Sequence, residues 1–210
     1  MQKYYVTHNS KLNQMLLFKQ TLEKASSAVD PSIGKYNYET YSIKVFKPPE
    51  ASAPPPTKFE QIGLMDYTLY LGNKEMDTGG YFYRVNIKPE YQKNGIFTQL
   101  FGLAQNHMIE SNAVSFNFFI GSGNECLTDE QLNAGTDIEC LPQDTLSKIY
   151  SKFGVRKSRD NNRERYKFLT PEDYLPLEEL GIKVIESATS LSIIPYAQEN
   201  AVISCKHQPH

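Results

Sequence analysis

The chain has no charge excess, no metal-ligand pattern and no long apolar run, and each absence removes a class of function. With 22 lysines and arginines against 24 aspartates and glutamates, no global field draws in nucleic acid or an anionic membrane. No stretch approaches a bilayer-spanning length of apolar residues, and the opening Met1-Gln2-Lys3-Tyr4-Tyr5 lacks the apolar core of a signal peptide, so a cytoplasmic protein is expected. Cys126, Cys140 and Cys205 have no metal-ligand spacing, and their odd number makes a poor disulfide framework; free thiols are expected. His8, His107, His207 and His210 form no zinc-binding spacing, which leaves metal chemistry without a donor set. Prolines 48, 49 and 54–56 lack the Pro-x-x-Pro pattern with a flanking arginine, so they read as a stiff exposed connection.

What is present centres on residues 81–108. An aromatic, β-branched run reads as a strand, Pro89 ends it without needing a ladder donor, and Gln92-Lys93-Asn94-Gly95 turns the chain into a helix. Phe97, Leu100, Phe101, Ala104 and Met108 then recur at three-four spacing, one face of an amphipathic helix that requires a sheet to cover it. A helix start has unpaired N–H groups and partial positive charge, and Gly95 lets backbone approach a ligand closely, so the junction suits phosphate.

The order Val85-Asn86-Ile87-Lys88-Pro89, then Gln92-Lys93-Asn94-Gly95-Ile96-Phe97, then Leu100, resembles the acetyl-CoA signature of the GCN5-related N-acetyltransferases. Downstream, Leu146-Ser147-Lys148-Ile149-Tyr150 followed by Gly154-Val155 is similar to that family's second motif. The resemblance covers about residues 36–169 and implies an α/β (α+β) fold: a mixed, mostly antiparallel sheet, with a central pair of splayed parallel strands flanked by helices. The cofactor's pantetheine arm would lie in the splay. The resemblance also implies acetyl-CoA as co-substrate, with no metal. Its thioester carbonyl would meet backbone N–H groups near Val85, Asn86 and Ile87, and its pyrophosphate those of Gln92, Lys93, Asn94, Gly95, Ile96, Phe97 and Thr98. Phe97 stands where the family has Gly or Ala, and it would crowd that pyrophosphate unless its ring points into the core. Gln143 stands where the family often has Asn. Lys88 and Lys93 are further candidates for phosphate contacts.

A single domain over residues 1–210 is expected. Residues 2–7 read as a strand. Asn9 or Ser10 would cap a helix carrying Leu12, Met15, Leu16, Leu22 and Ala25, so that residues 2–29 form a strand-helix start. Strands in residues 36–45 and 59–71, with the central strand from residue 81, would make three antiparallel strands ahead of the pivotal helix, and residues 114–120 would follow it in a βαβ unit. Residues 121–144 hold Glu125, Asp129, Glu130, Asp137 and Glu139 and no lysine or arginine, an acidic insertion suited to bordering a cationic acceptor. In the extension 170–210, Thr170-Pro171 would open a helix ended by Gly181, and residues 182–195 would pair onto the sheet or onto a partner, allowing a homodimer.

For acyl transfer, the resemblance makes Tyr150 the general acid toward the leaving thiolate. The central strand offers Tyr81, Phe82 and Tyr83 where some members carry a glutamate, so the base falls to water or to Glu125. The expected activity is acyl-CoA-dependent N-acyltransfer to a primary amine of a protein or small molecule. A fold-retaining binding module without turnover is the alternative.

Overall fold

A computed structural model describes residues 2–32, 34–49, 59–74, 76–119, 143–159 and 164–185. Five strands come first: β1 (Gln2–Asn9), β2 (Gln14–Asp30), β3 (Gly34–Lys47), β4 (Glu60–Leu71) and β5 (Gly79–Ile87). Helix α1 (Ile96–Glu110), strand β6 (Ser115–Phe119) and helix α2 (Gln143–Ser151) follow, then β7 (Arg156–Lys157), β8 (Glu164–Phe168) and β9 (Ile182–Ile185). All nine strands form one sheet in the order β7-β8-β6-β5-β4-β3-β2-β1-β9. Every neighbouring pair is antiparallel except β5 and β6, which are parallel because α1 carries the chain back between them. This is the mixed sheet with a central parallel pair that the resemblance implies.

Helix α1 forms where its apolar spacing requires. Leu100, Phe101, Leu103, Ala104 and Met108 are buried against Phe18, Ile43, Met65, Tyr67, Leu69 and Phe82 of the sheet. Full burial of each large side chain contributes about 1.5–3 kcal/mol. Met15 and Leu17 alternate with Leu16 and Phe18 and face the other way, into a second cluster with Tyr4 and Val6.

Two expected helices are absent. Residues 14–30 form strand β2 instead, because Asn9 Oδ1 accepts the N–H groups of Lys11 and Leu12 (both 3.1 Å) and Asn13 takes φ 49, which folds the chain into a hairpin turn. The continuous run Met15–Leu16–Leu17–Phe18 is buried on both faces of the sheet, and such a run carries no strand period. Five strands therefore precede α1, β2 being added to the strand at residues 2–7 and the three expected after it. After Thr170 the chain makes only a 3-10 turn, Pro171–Asp173, held by Asp173 Oδ2 accepting the Thr170 N–H at 2.9 Å. Tyr174 is already extended (ψ 123), and Pro176 disfavours helical backbone at Leu175. The start of the extension does pair onto the sheet, with β9 running antiparallel to β1 from Thr7↔Ile182 to Tyr4↔Ile185.

A polar chain crosses the core beneath α1. Tyr5 Oη donates to Gln20 Oε1 (2.9 Å), Gln20 Nε2 donates to Tyr67 Oη (2.6 Å), and Tyr67 Oη lies 2.8 Å from His107 Nδ1. Since the Tyr67 oxygen receives the Gln20 amide, its own proton goes to Nδ1, leaving the imidazole neutral with its proton on Nε2. Burial, reinforced by Lys3, holds His107 below the usual histidine range. The unfolded chain binds a proton near pH 6.5 and the native imidazole does so only lower, so stability is complete above that pH and falls as pH drops through the native value. Chemical unfolding between about pH 7 and pH 5 should show this loss, and His107→Asn, which keeps an acceptor for Tyr67, should flatten it.

Candidate active site

The site begins with a strand that leaves its neighbour. Among the described residues, β5 and β6 share three paired positions, Gly79↔Ser115, Gly80↔Phe116 and Tyr81↔Asn117. On the other side β5 stays with β4 to Gly63↔Ile87, but the register steps from Tyr67↔Phe82 to Asp66↔Arg84, so Tyr83 is the extra residue of a β-bulge. A bulge increases twist and bends its strand. The edge of β5 that carries Val85, Asn86 and Ile87 thus borders an opening toward β6.

At the end of β5 the chain turns through Pro89–Tyr91 into the loop before α1. Gln92 Nε2 donates to Ile87 O (3.0 Å) and Asn94 Nδ2 to Gln92 O (3.1 Å), which closes the loop onto the strand. The β1–β2 turn holds its other carbonyls: Asn9 Nδ2 donates to Asn94 O at 2.8 Å and Lys11 Nζ to Lys93 O at 3.3 Å. Lys93 and Gly95 both have positive φ, 63 and 82. Gly95 accepts the Gln99 N–H, and no side chain caps the helix. The amides of Ile96, Phe97 and Thr98 consequently open α1 without a side-chain acceptor, and a Cβ built on Gly95 meets nothing within 4 Å. An uncapped helix mouth beside open space fits an anionic group such as pyrophosphate.

The Phe97 ring does not crowd that mouth. It packs 5.4 Å from Tyr150, 5.7 Å from Phe101 and 5.7 Å from Phe153, inside an aromatic cluster. Tyr150, 8% exposed, lies 4.4 Å from Phe118 of β6 and so sits between the start of α1 and the strand across the opening. Its carbonyl accepts the N–H groups of Phe153 and Val155, and Gly154 at φ 74 then turns the chain out of α2 toward β7. Gln143 opens α2. Lys88 is committed elsewhere: its ammonium lies 2.6 Å from Glu60 Oε1 and holds that carboxyl below the usual range. Glu125 and the rest of the acidic insertion, like prolines 54–56, lie outside the described residues.

Sequence reasoning missed the residues that shape the loop from afar. Asn9 and Lys11 were read into a helix, yet the Asn9 turn geometry was available as a signal, since asparagine followed two and three residues on by free N–H groups makes such turns as readily as caps. The Tyr83 bulge left no mark in the sequence pattern.

Two substitutions separate mouth from cluster. Gly95→Trp puts a side chain where backbone has positive φ and space is open, so acetyl-CoA affinity measured by calorimetry should fall at least about tenfold, the loss of roughly one charge-assisted hydrogen bond. Phe97→Ala should leave that affinity unchanged and cost about 2–3 kcal/mol in urea unfolding, below the range for a fully buried phenylalanine because this one is partly exposed.

No family model matches the chain, and no curated protein matches it. Among solved structures, Tetrahymena GCN5 aligns at 15% identity over 63% of this chain and 69% of that one, with a TM-score of 0.31. A cAMP-binding acyltransferase from Mycobacterium smegmatis aligns at 12% identity over 96% of this chain, with a TM-score of 0.40, and this chain spans 57% of its length. Both likenesses are distant; the architecture is established by the chain's own strand order, its single parallel pair and the helix mouth that faces their parting.

Proposed function

We infer that the chain is an acyl-CoA-dependent N-acyltransferase, moving acetyl from acetyl-CoA to a primary amine of a protein or small molecule by direct attack. The observation that carries this reading is the opening between β5 and β6 beside the uncapped mouth of α1. It offers an extended arm a strand edge and its phosphates a set of backbone donors.

Acetyl-CoA supplies an acyl group activated as a thioester. In the transfer the amine nitrogen bonds the acyl carbon, the carbon–sulfur bond breaks, the nitrogen loses a proton and the sulfur gains one. Backbone N–H groups on the open edge of β5, at Val85 to Ile87, hold the thioester carbonyl. In this reading Tyr150 returns the proton to sulfur. Between an ordinary phenol near pKa 10 and an ordinary thiol near 8.5 that transfer is uphill by about 2 kcal/mol. The apolar rings of Phe97, Phe101 and Phe118 pack around Tyr150, and such surroundings disfavour a phenolate and an emerging thiolate alike, so the step stays mildly uphill.

A second reading, binding without turnover, draws on β5 itself. It presents Tyr81, Phe82 and Tyr83 where a base would stand, and Asp66, opposite on β4, is bonded to Arg84. Titration with acetyl-CoA followed by an amine screen with thiol release as readout separates the two. Absence of acetyl-CoA binding favours the second, and so does binding without thiol release for any amine.

Tyr150→Phe keeps the ring's packing and removes the proton. With an amine that the wild type acylates, kcat should fall about 10²–10⁴-fold with acetyl-CoA affinity unchanged; wild-type kcat in the variant would make water the proton source.

A further inference from the structure

The face of the sheet opposite α1 contains a site of its own. Side chains alternate along strands, so while Ile43, Met65 and Tyr67 enter the core beneath α1, Ser42, Lys44 and Asp66 point to the other side. With Glu23 of β2 and Tyr83 and Arg84 of β5 they line a groove of about 460 Å³, within the range of small-ligand pockets. Ser42 is 3% exposed, and its Oγ has no hydrogen-bond partner. A buried hydroxyl without a partner is costly, and it marks a place where a partner belongs.

The groove's charges limit what that partner is. Lys44 lies 3.8 Å from Glu23, and Arg84 donates through Nε and Nη2 to Asp66 Oδ2 at 3.0 and 2.6 Å. The two pairs sum to zero, so neither a polyanion nor a polycation is drawn in, and a zwitterion would have to pull formed pairs apart. Both Arg84 bonds converge on one oxygen, which leaves Asp66 Oδ1 as an acceptor and Arg84 Nη1, on the far edge of the guanidinium, as a donor. A hydroxyl, which can donate or accept, satisfies either one without disturbing the pair. Beside them the Tyr83 ring is 54% exposed yet braced, edge-on to Tyr81 at 4.9 Å. It presents a flat apolar wall to the C–H face of a ring.

We propose that this groove binds a small uncharged polyhydroxylated ring, a saccharide, with vicinal hydroxyls on Asp66 and Arg84, a further hydroxyl toward Ser42 and the ring face against Tyr83. The inference does not depend on acyl transfer.

The test is an NMR titration of the intact chain with methyl β-D-glucopyranoside and with myo-inositol, in the absence of acetyl-CoA. Glycine, spermidine and inorganic phosphate serve as comparison probes. At least one polyol should shift amides of β3, β4 and β5 with a dissociation constant of about 1–10 mM, weakened about tenfold in Tyr83→Ala and in Asp66→Asn. Tyr83→Ala should melt within a degree or two of wild type, because its ring is largely exposed. Ser42→Ala should raise the melting temperature, by removing the orphaned hydroxyl, while weakening the polyol about threefold. The proposal is overturned if both polyols leave these amides unmoved at about 100 mM. It is equally overturned if glycine, spermidine or phosphate binds there more tightly, or if a polyol binds Tyr83→Ala as well as wild type.

Discussion

β5 cannot satisfy two neighbours along its whole length, and most of what distinguishes this molecule follows from that constraint. Among the described residues it pairs with β6 at three positions, gains an extra residue at Tyr83, and from there follows β4. Backbone polar groups seldom stay unpaired in a protein interior, so the edge beyond Tyr81 calls for a guest or solvent. The same bulge turns the Tyr83 ring outward on the face away from α1. One backbone irregularity thereby serves an opening on one side of the sheet and a groove on the other.

The aromatic cluster sets how far the two helices can be treated separately. Phe97 and Phe101 come from α1, Tyr150 and Phe153 from α2 and the turn after it, Phe82 from β5, and Phe116 and Phe118 from β6. Phe97 and Phe101 of α1 and Phe118 of β6 pack directly against the Tyr150 ring, so the start of α1, α2 and the strand across the opening are held together through it.

The middle of the chain was legible because its elements carry strong periods and punctuation: β5, the Pro89 stop, the Gly95 turn, the face of α1 and β6 were all read from residue pattern, and the segment of α2 from the resemblance. The ends were misread for physical reasons that can be named. Residues 15–18 are buried on both faces of the sheet, which erases alternation and leaves an apolar run that fits a helix equally well. Thr170-Pro171 is a sound helix start, but Pro176 cuts the helix before its first full turns, and start signals carry no information about length. Of the expected site residues, the structure brings the loop 92–95, the start of α1, the edge of β5 and Tyr150 around one opening, and it turns Phe97 away from the mouth. The contribution of Asn9 and Lys11 could not be read locally, since what they hold lies far along the chain.

That distance has a kinetic consequence. The carbonyls of the loop before α1 are held by Asn9 and Lys11 from the first hairpin, while Thr7 in β1 donates to Gly181 O at 2.6 Å and Gln99 in α1 donates to Leu180 O at 3.0 Å. The helix mouth is therefore tied to both the first strand and the segment that precedes the last described one. Contacts between residues so remote form late, after shorter loops have closed. On a ribosome, β1 to β5 can zip together hairpin by hairpin as they emerge, but the brace from Leu180 and Gly181 cannot reach α1 until nearly all of the described sheet has been synthesised, so the mouth gains its full support only after α2, β7 and β8 have emerged.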